Sequence, residues 1–240
     1  MTLELRRLPR SRDDVVMLDY EPRRAREVTL VVGHGYSSSK HNLDFLCAFL
    51  SSQGFRVLSL DFPGHKLGAS GGTLASLDDL TDAMATVVSF ARARYDGPIY
   101  TLGHSMGAVT ALLTCADDPQ IAGAVSIATG YARSSAISAL AKGGTVDLRS
   151  GYVDGLTLPE ISTQIERILD ATLAALVGRP VLYVVATRDG MVSRTSAREL
   201  YERAPEPKTY REIDSDHTSA GENSRATVLQ WLNERHPRTI

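Results

Sequence analysis

Residues 100–109 read YTLGHSMGAV, with Ser105 midway between Gly103 and Gly107 and directly after an apolar run. A chain that turns sharply from a strand into a helix brings neighbouring backbones close together at the bend. Glycine at the two flanking positions relieves the crowding, and the apex residue is held proud in a strained conformation. A serine at that apex sits at a helix N-terminus, where the dipole favours a developing oxyanion. The alternative is a serine N-cap with incidental glycines. The flanking apolar strand and following amphipathic segment favour the first reading, because the bare pattern gains specificity only in that context.

A serine hydroxyl becomes an effective nucleophile when a base takes its proton. The chain has six histidines. His34 and His104 belong to glycine-flanked turns and read as packing residues. His41 sits at a helix start, His65 in a turn, and His236 near a C-terminus that reads as disordered. His217, in DSDHTSA, follows the last strand-like run and precedes the last helical one, and is the candidate base. An imidazole in that role needs an acid to fix its tautomer and stabilise its cation. Asp189, in VVATRDGMVS, opens the loop after a continuous apolar run, although Asp-Gly pairs are also common turn formers. Asp214 and Asp216 are rivals, but they flank His217 in sequence, and the expected acid comes from a different loop. The order Ser105, Asp189, His217 is the nucleophile–acid–base order of one fold, distinct from the chymotrypsin and subtilisin orders. An oxyanion hole would then combine the Met106 N–H with one from the earlier GHGYSSSK loop, where Tyr36 N–H is the expected donor and His34-Gly35 shape the turn.

These residues can meet only if the intervening elements bring them to one edge. VTLVVGHG (28–35) is a β-branched run ending in glycine, as a buried parallel strand would be. Residues 40–54 place Leu43, Leu46, Cys47 and Leu50 on one helical face, with Gly54 as the stop. Further strands are expected over 55–64, 98–105, 121–130, 179–190 and 208–217. Helices are expected over 74–97, 106–116, about 196–204 and about 223–235. The alternation predicts an α/β fold, a mostly parallel central sheet covered on both faces. Ligands in such sheets sit beyond the carboxyl ends of the strands, where His34–Tyr36, Ser105, Asp189 and His217 all fall. Residues 3–9 and 14–20 read as an antiparallel hairpin at a sheet edge.

One interval breaks the rhythm. Residues about 131–178 read as a cap insertion within a single domain spanning 1–240: a helix in ARSSAISALA, a loop or small hairpin in KGGTVDLRSGYVDG, then a helix with Ile161, Ile165, Ile168 and Leu169 on one face. Its apolar positions Ile137, Leu140, Leu156, Leu158, Leu173 and Leu176 fit an acyl pocket or packing on the sheet equally well.

Composition bounds the partners. The 240 residues carry 26 Lys plus Arg and 28 Asp plus Glu, a formal charge of −2, without the basic excess that a nucleic-acid footprint needs. The arginine-rich N-terminal stretch also holds Asp13, Asp14, Asp19 and Glu21, which reads as a solvated mixed-charge surface. Cys47 and Cys115 sit in apolar helical stretches and read as two buried free thiols. No run reaches membrane-span length, and the first residues lack the apolar core of a signal peptide, so a cytoplasmic protein that does not bind membranes is expected. No cofactor and no metal is expected.

Jointly, HGYSSS, LDFPGHKLGAS, GHSMGA, ATRDGMV and SDHT resemble the oxyanion loop, the Asp-x-Pro-Gly-His-Gly-x-Ser turn, the nucleophile elbow, the acid loop and the histidine loop of the α/β-hydrolase superfamily. The likeness runs from about residue 28 to the C-terminus, and the chain looks closest to small microbial serine esterases with compact caps. Lys66 departs from the pattern, standing where the superfamily usually has glycine. The resemblance implies two-step acyl transfer: a carboxylesterase for small or medium acyl groups, with a thioesterase or acyl transferase using the same triad as the alternative. A non-catalytic binding protein on the same fold is a third reading, against which the intact triad argues.

Overall fold

The computed structural model describes residues 1–132, 136–139 and 147–238; the side chains of residues 147, 148 and 150 are outside that description. Eight strands form one sheet in the order β1-β2-β4-β3-β5-β6-β7-β8. β1 (Thr2–Pro9) and β2 (Asp14–Glu21) are the expected antiparallel edge hairpin. β2 also runs antiparallel to β4 (Arg56–Leu60), and every later pairing is parallel. Those pairings involve β3 (Thr29–Gly33), β5 (Ile99–His104), β6 (Gly123–Ile127), β7 (Val181–Ala186) and β8 (Lys208–Ile213). β3, β6 and β7 are buried along their whole length and β5 as far as Gly103, as continuous apolar runs in a doubly covered sheet must be.

Two apolar layers cover the sheet. On one face lie α1 (Asp44–Ser52), α6 (Ala220–Asn223) and α7 (Arg225–Arg235), contributing Leu46, Cys47, Leu50, Val228, Trp231 and Leu232. The opposite face carries α2 (Asp78–Arg94), α3 (Met106–Asp117), α4 (Leu158–Ala174) and α5 (Arg194–Arg203). The four residues expected on the first helical face are all buried, and Gly54 takes φ +100 behind α1. The two cysteines are free and buried, one in each layer. Two of the N-terminal arginines pair within their own hairpin, Arg6 with Asp19 and Arg10 with Asp13, and Arg56 of β4 pairs with Glu21 of β2.

Several boundaries differ from the periodicity, each for a local reason. α2 begins at Asp78 because Leu74 is taken by the segment 154–156: its N–H donates to the Asp154 carbonyl (2.9 Å) and its carbonyl accepts from Leu156 N (2.7 Å). The Asp79 carboxylate then gathers the N–H groups of Ala75 and Ser76 into the turn. The first expected helix starts as a 3-10 turn over Lys40–Leu43. The last one breaks at Ser224, whose hydroxyl donates to the Gly221 carbonyl.

Within 131–178, residues 136–139 are helical and the rest of 133–146 lies outside the described residues. A 3-10 helix spans Asp147–Tyr152 in place of a hairpin. Val153 bridges to His65 and Gly155 to Leu74, so this segment is stitched onto the loop after β4. α4 opens on a reciprocal Thr157–Glu160 capping box, and its buried face joins the main core through Ile161, Leu169 and Leu173, with Leu176 following just past its end. Ile168, expected on that face, is 40% exposed; the helix turns Thr172 and Leu173 inward instead. His236, expected in a disordered tail, is held by Tyr100, whose hydroxyl lies 2.9 Å from its Nε2.

Candidate active site

β5 delivers the serine. Its last residue is His104, and Ser105 follows at φ 55, ψ −112, a left-handed conformation that costs a non-glycine residue of order 1–3 kcal/mol. The Ser105 N–H donates to the Ile127 carbonyl (2.9 Å), pinning the bend to β6. The need for both glycines is steric. A Cβ at Gly103 would overlap the Gly107 carbonyl oxygen, and one at Gly107 would overlap the Gly33 carbonyl oxygen. The elbow is therefore packed directly on the β3 turn, which carries the second half of the site.

His217 and Asp189 arrive from loops after β8 and β7. His217 Nε2 lies 3.1 Å from Ser105 Oγ, and Nδ1 lies 2.7 Å from Asp189 Oδ2. A carboxylate only accepts, so Nδ1 carries the proton and Nε2 is left to accept from the serine. Asp189 is 2% exposed and fully engaged: Oδ1 accepts from Met191 N and Val192 N, both at 2.8 Å. Burial pushes its carboxyl up. The His217 hydrogen bond and charge, with the two backbone N–H groups, more than offset this and hold it below the usual carboxylate value. The rivals are elsewhere. Asp214 pairs with Arg188 on the surface (2.7 Å), and Asp216 caps the Ser219 N–H (2.8 Å).

The loop after β3, where an oxyanion donor is expected, is built on His34. Its Nδ1 lies 2.8 Å from the Gly35 carbonyl, which only accepts, so Nδ1–H donates and Nε2 accepts from Phe62 N (3.0 Å). Protonation would destroy that acceptor, and complete burial next to His65 holds the imidazole well below its ordinary pKa. Sequence reading took His34 for packing, and it is a buried hinge pin between the β3 and β4 turns. Met106 N–H, first in α3, has no intrahelical acceptor by its position. Tyr36 follows Gly35 along the same rim, and its phenol donates to the Leu156 carbonyl (3.2 Å).

Beneath this loop lies a buried ion pair that sequence reading missed. Lys40 Nζ sits 2.5 Å from Asp61 Oδ2, with side chains 3% and 0% exposed. The Asp61 carboxylate also accepts from Lys40 N and Ala69 N, each at 2.8 Å. Burial pushes that carboxyl up, and the Lys40 ammonium and N–H donors bring it below its usual value. A Cβ at Gly68 would come within 2.6 Å of the Asp61 carboxyl carbon. The close approach thus falls at position 68, which leaves Lys66 free to point outward and pair with Asp154 (2.9 Å).

Ser105 and His217 open onto a cavity of about 380 Å³, bounded by Gly35, Tyr36, Leu43, Leu158 and Met191 and edged by Arg149. Of the apolar positions expected to line an acyl pocket, Leu158 does so. Leu173 and Leu176 pack in the core beside the sheet, and Leu140 lies outside the described residues. Among the described residues no cluster of His, Cys, Asp or Glu could hold a metal ion. No helix among them is long and apolar enough to cross a membrane.

This sheet order, with a strained serine on its central strand and an acid and a histidine on later strand ends, defines an α/β-hydrolase. The chain belongs to the serine aminopeptidase S33 family, whose model matches residues 24–150. It is 32% identical over 114 residues to a monoglyceride lipase homolog of Monkeypox virus, a match covering 45% of this chain and 40% of that protein. The matched part thus spans less than half the length of that curated relative. Among solved structures, Est1E from Butyrivibrio proteoclasticus with ferulic acid bound superimposes with a TM-score of 0.73 at 17% identity, covering 97% of this chain and all of that one. A thioesterase domain from the curacin biosynthetic pathway does so with 0.70 at 16% identity, covering 97% and 99%. Both likenesses are of fold alone.

Proposed function

We propose that this hydrolase cleaves carboxylic esters of small or medium acyl groups through an acyl-enzyme on Ser105. The observation that carries the reading is the unbroken relay Asp189–His217–Ser105 at 2.7 and 3.1 Å, ending in a cavity of a size to admit a small ester. His217 Nε2 takes the Ser105 proton as Oγ attacks the ester carbonyl. The tetrahedral oxyanion is met by the N–H groups of Tyr36 and Met106. The C–O bond to the alkoxide breaks, and His217 returns the proton to the leaving oxygen. Water then repeats the sequence on the acyl-serine, releasing the acid.

Within the insertion 131–178, expected to be a cap, the described residues Arg149 and Leu158 line this mouth, while most of α4 serves the core. The two unpaired thiols support a cytoplasmic setting. The test is Ser105→Ala assayed on p-nitrophenyl esters of graded acyl length, with thioesters alongside. The variant should fold and lose turnover, and the wild-type chain should trap a covalent acyl or fluorophosphonate adduct at Ser105. An unlabelled Ser105 in folded protein overturns the reading.

A further inference from the structure

His104 ends β5 immediately before the nucleophile, yet its side chain reaches past Ser105 to the base. Its Nε2 lies 2.7 Å from the His217 carbonyl oxygen. A carbonyl only accepts, so Nε2 carries hydrogen and donates, in the neutral ring and the protonated ring alike. The two imidazoles lie 4.9 Å apart with their planes at 52°. The other side of the His104 ring abuts the oxyanion loop: a Cβ at Gly35 would stand 3.2 Å from its Nδ1. One half-buried ring thus touches the loop of the oxyanion donors, the nucleophile elbow and the loop of the base.

The other ties on the base loop run elsewhere. The Ser215 carbonyl accepts from Arg188 N (2.9 Å) on the loop after β7, and Asp216 caps its own turn at Ser219. Asp189 pulls the imidazole toward the same β7 side. The 3.1 Å Ser105–His217 bond is the one that must give way during proton transfer, so it cannot also serve as the anchor. The bond from His104 fastens the backbone of residue 217 to β5, the strand that carries the nucleophile.

We propose that His104 is a positioning residue for the general base, setting the distance between His217 Nε2 and Ser105 Oγ by hydrogen-bonding the His217 carbonyl. This rests on the serine-hydrolase reading above. A residue that merely fills space needs no donor aimed at that carbonyl, which gives the experiment its contrast. His104→Gln keeps an N–H donor at comparable reach, whereas His104→Met keeps the bulk and loses the donor. Both are compared with the wild-type chain on p-nitrophenyl acetate, with kcat and KM determined separately and folding checked by circular dichroism and thermal melting.

A loosened base should cost His104→Met about 10- to 100-fold in kcat with KM nearly unchanged, since small misplacements of reacting groups reach that size. His104→Gln should recover to within about threefold of wild type, as a retained hydrogen bond predicts. Equal impairment of both variants, a change confined to KM, or an unimpaired His104→Met would each overturn the proposal. A wild-type chain that neither turns over ester nor labels at Ser105 would instead overturn the hydrolase reading, and this one with it.

Discussion

Replacing Asp189 by Asn tests the relay where the chemistry is most asymmetric. The carboxylate accepts three hydrogen bonds, two on Oδ1 from Met191 N and Val192 N and one on Oδ2 from His217. An asparagine can keep its oxygen on the two backbone donors, which directs its NH2 at His217 Nδ1. Nδ1 must then become an acceptor, and the imidazole proton moves to Nε2, the atom 3.1 Å from Ser105 Oγ. A protonated Nε2 cannot take the serine proton. Loss of the correct tautomer is worth about 10⁴-fold in kcat, or about 5.4 kcal/mol of barrier at 1.36 kcal/mol per decade. The shape of the site should persist, because the swap is isosteric and the two backbone bonds remain. The assay is initial-rate hydrolysis of a p-nitrophenyl ester at pH 8, run beside Asp214→Asn and Asp216→Asn. Both of those carboxylates bind only surface groups, and each variant should keep activity within about threefold, as surface substitutions do. An Asp189→Asn enzyme within tenfold of wild type, or a larger loss at position 214 or 216, would refute the assignment of the acid.

Lys40→Met should cost about 3–5 kcal/mol in a urea titration, because it strands the Asp61 carboxylate at a site 0% exposed. Retained stability would mean that the Lys40 and Ala69 N–H donors suffice. Stability should also fall on mild acidification through His34 and His65, both held neutral by burial and with pKa values below the ordinary 6.5. Unfolded chains take up a proton at each below that value and the native state does not. Their contribution is therefore whole well above pH 6.5; about 1 kcal/mol from His34, whose pKa is lowered to about 3, is lost between pH 6.5 and 5.5, and His65 adds a loss of the same sign. Denaturant midpoints flat across that interval would contradict this. The Asp189 carboxyl acts further down: its stabilisation is present above its unfolded value of 3.8 and disappears as pH falls through the depressed folded value.

The relay was legible because each member stands beside a strand end that announces itself. Gly103 and Gly107 bracket Ser105 for a reason that any sharp strand-to-helix turn shares, a continuous apolar run leads into Asp189, and His217 follows a more polar, part-exposed strand. What stayed hidden was pairing between distant segments. Nothing near Lys40 says that its ammonium will be buried against Asp61, because the contact exists only once β3 and β4 lie side by side. His34 and His104 share glycine-flanked settings that fit inert filling, and their hydrogen-bond partners, Phe62 and His217, lie 28 and 113 residues away. The inward face of α4 failed at Ile168 because helical periodicity gives spacing but not the direction from which the core arrives. Its start could have been found, since Thr157 and Glu160 spell a capping box.

The two thiols lie on opposite sides of the sheet, Cys47 on the buried face of α1 and Cys115 on that of α3, and burial drives their pKa values up to about 12 and about 11. Neither can form thiolate while its covering layer is closed, so alkylating reagents meet them only when a helix lifts away. The chain thus carries one native reporter per layer. The relative rates at which iodoacetamide marks residues 47 and 115 would tell which side of the protein breathes first.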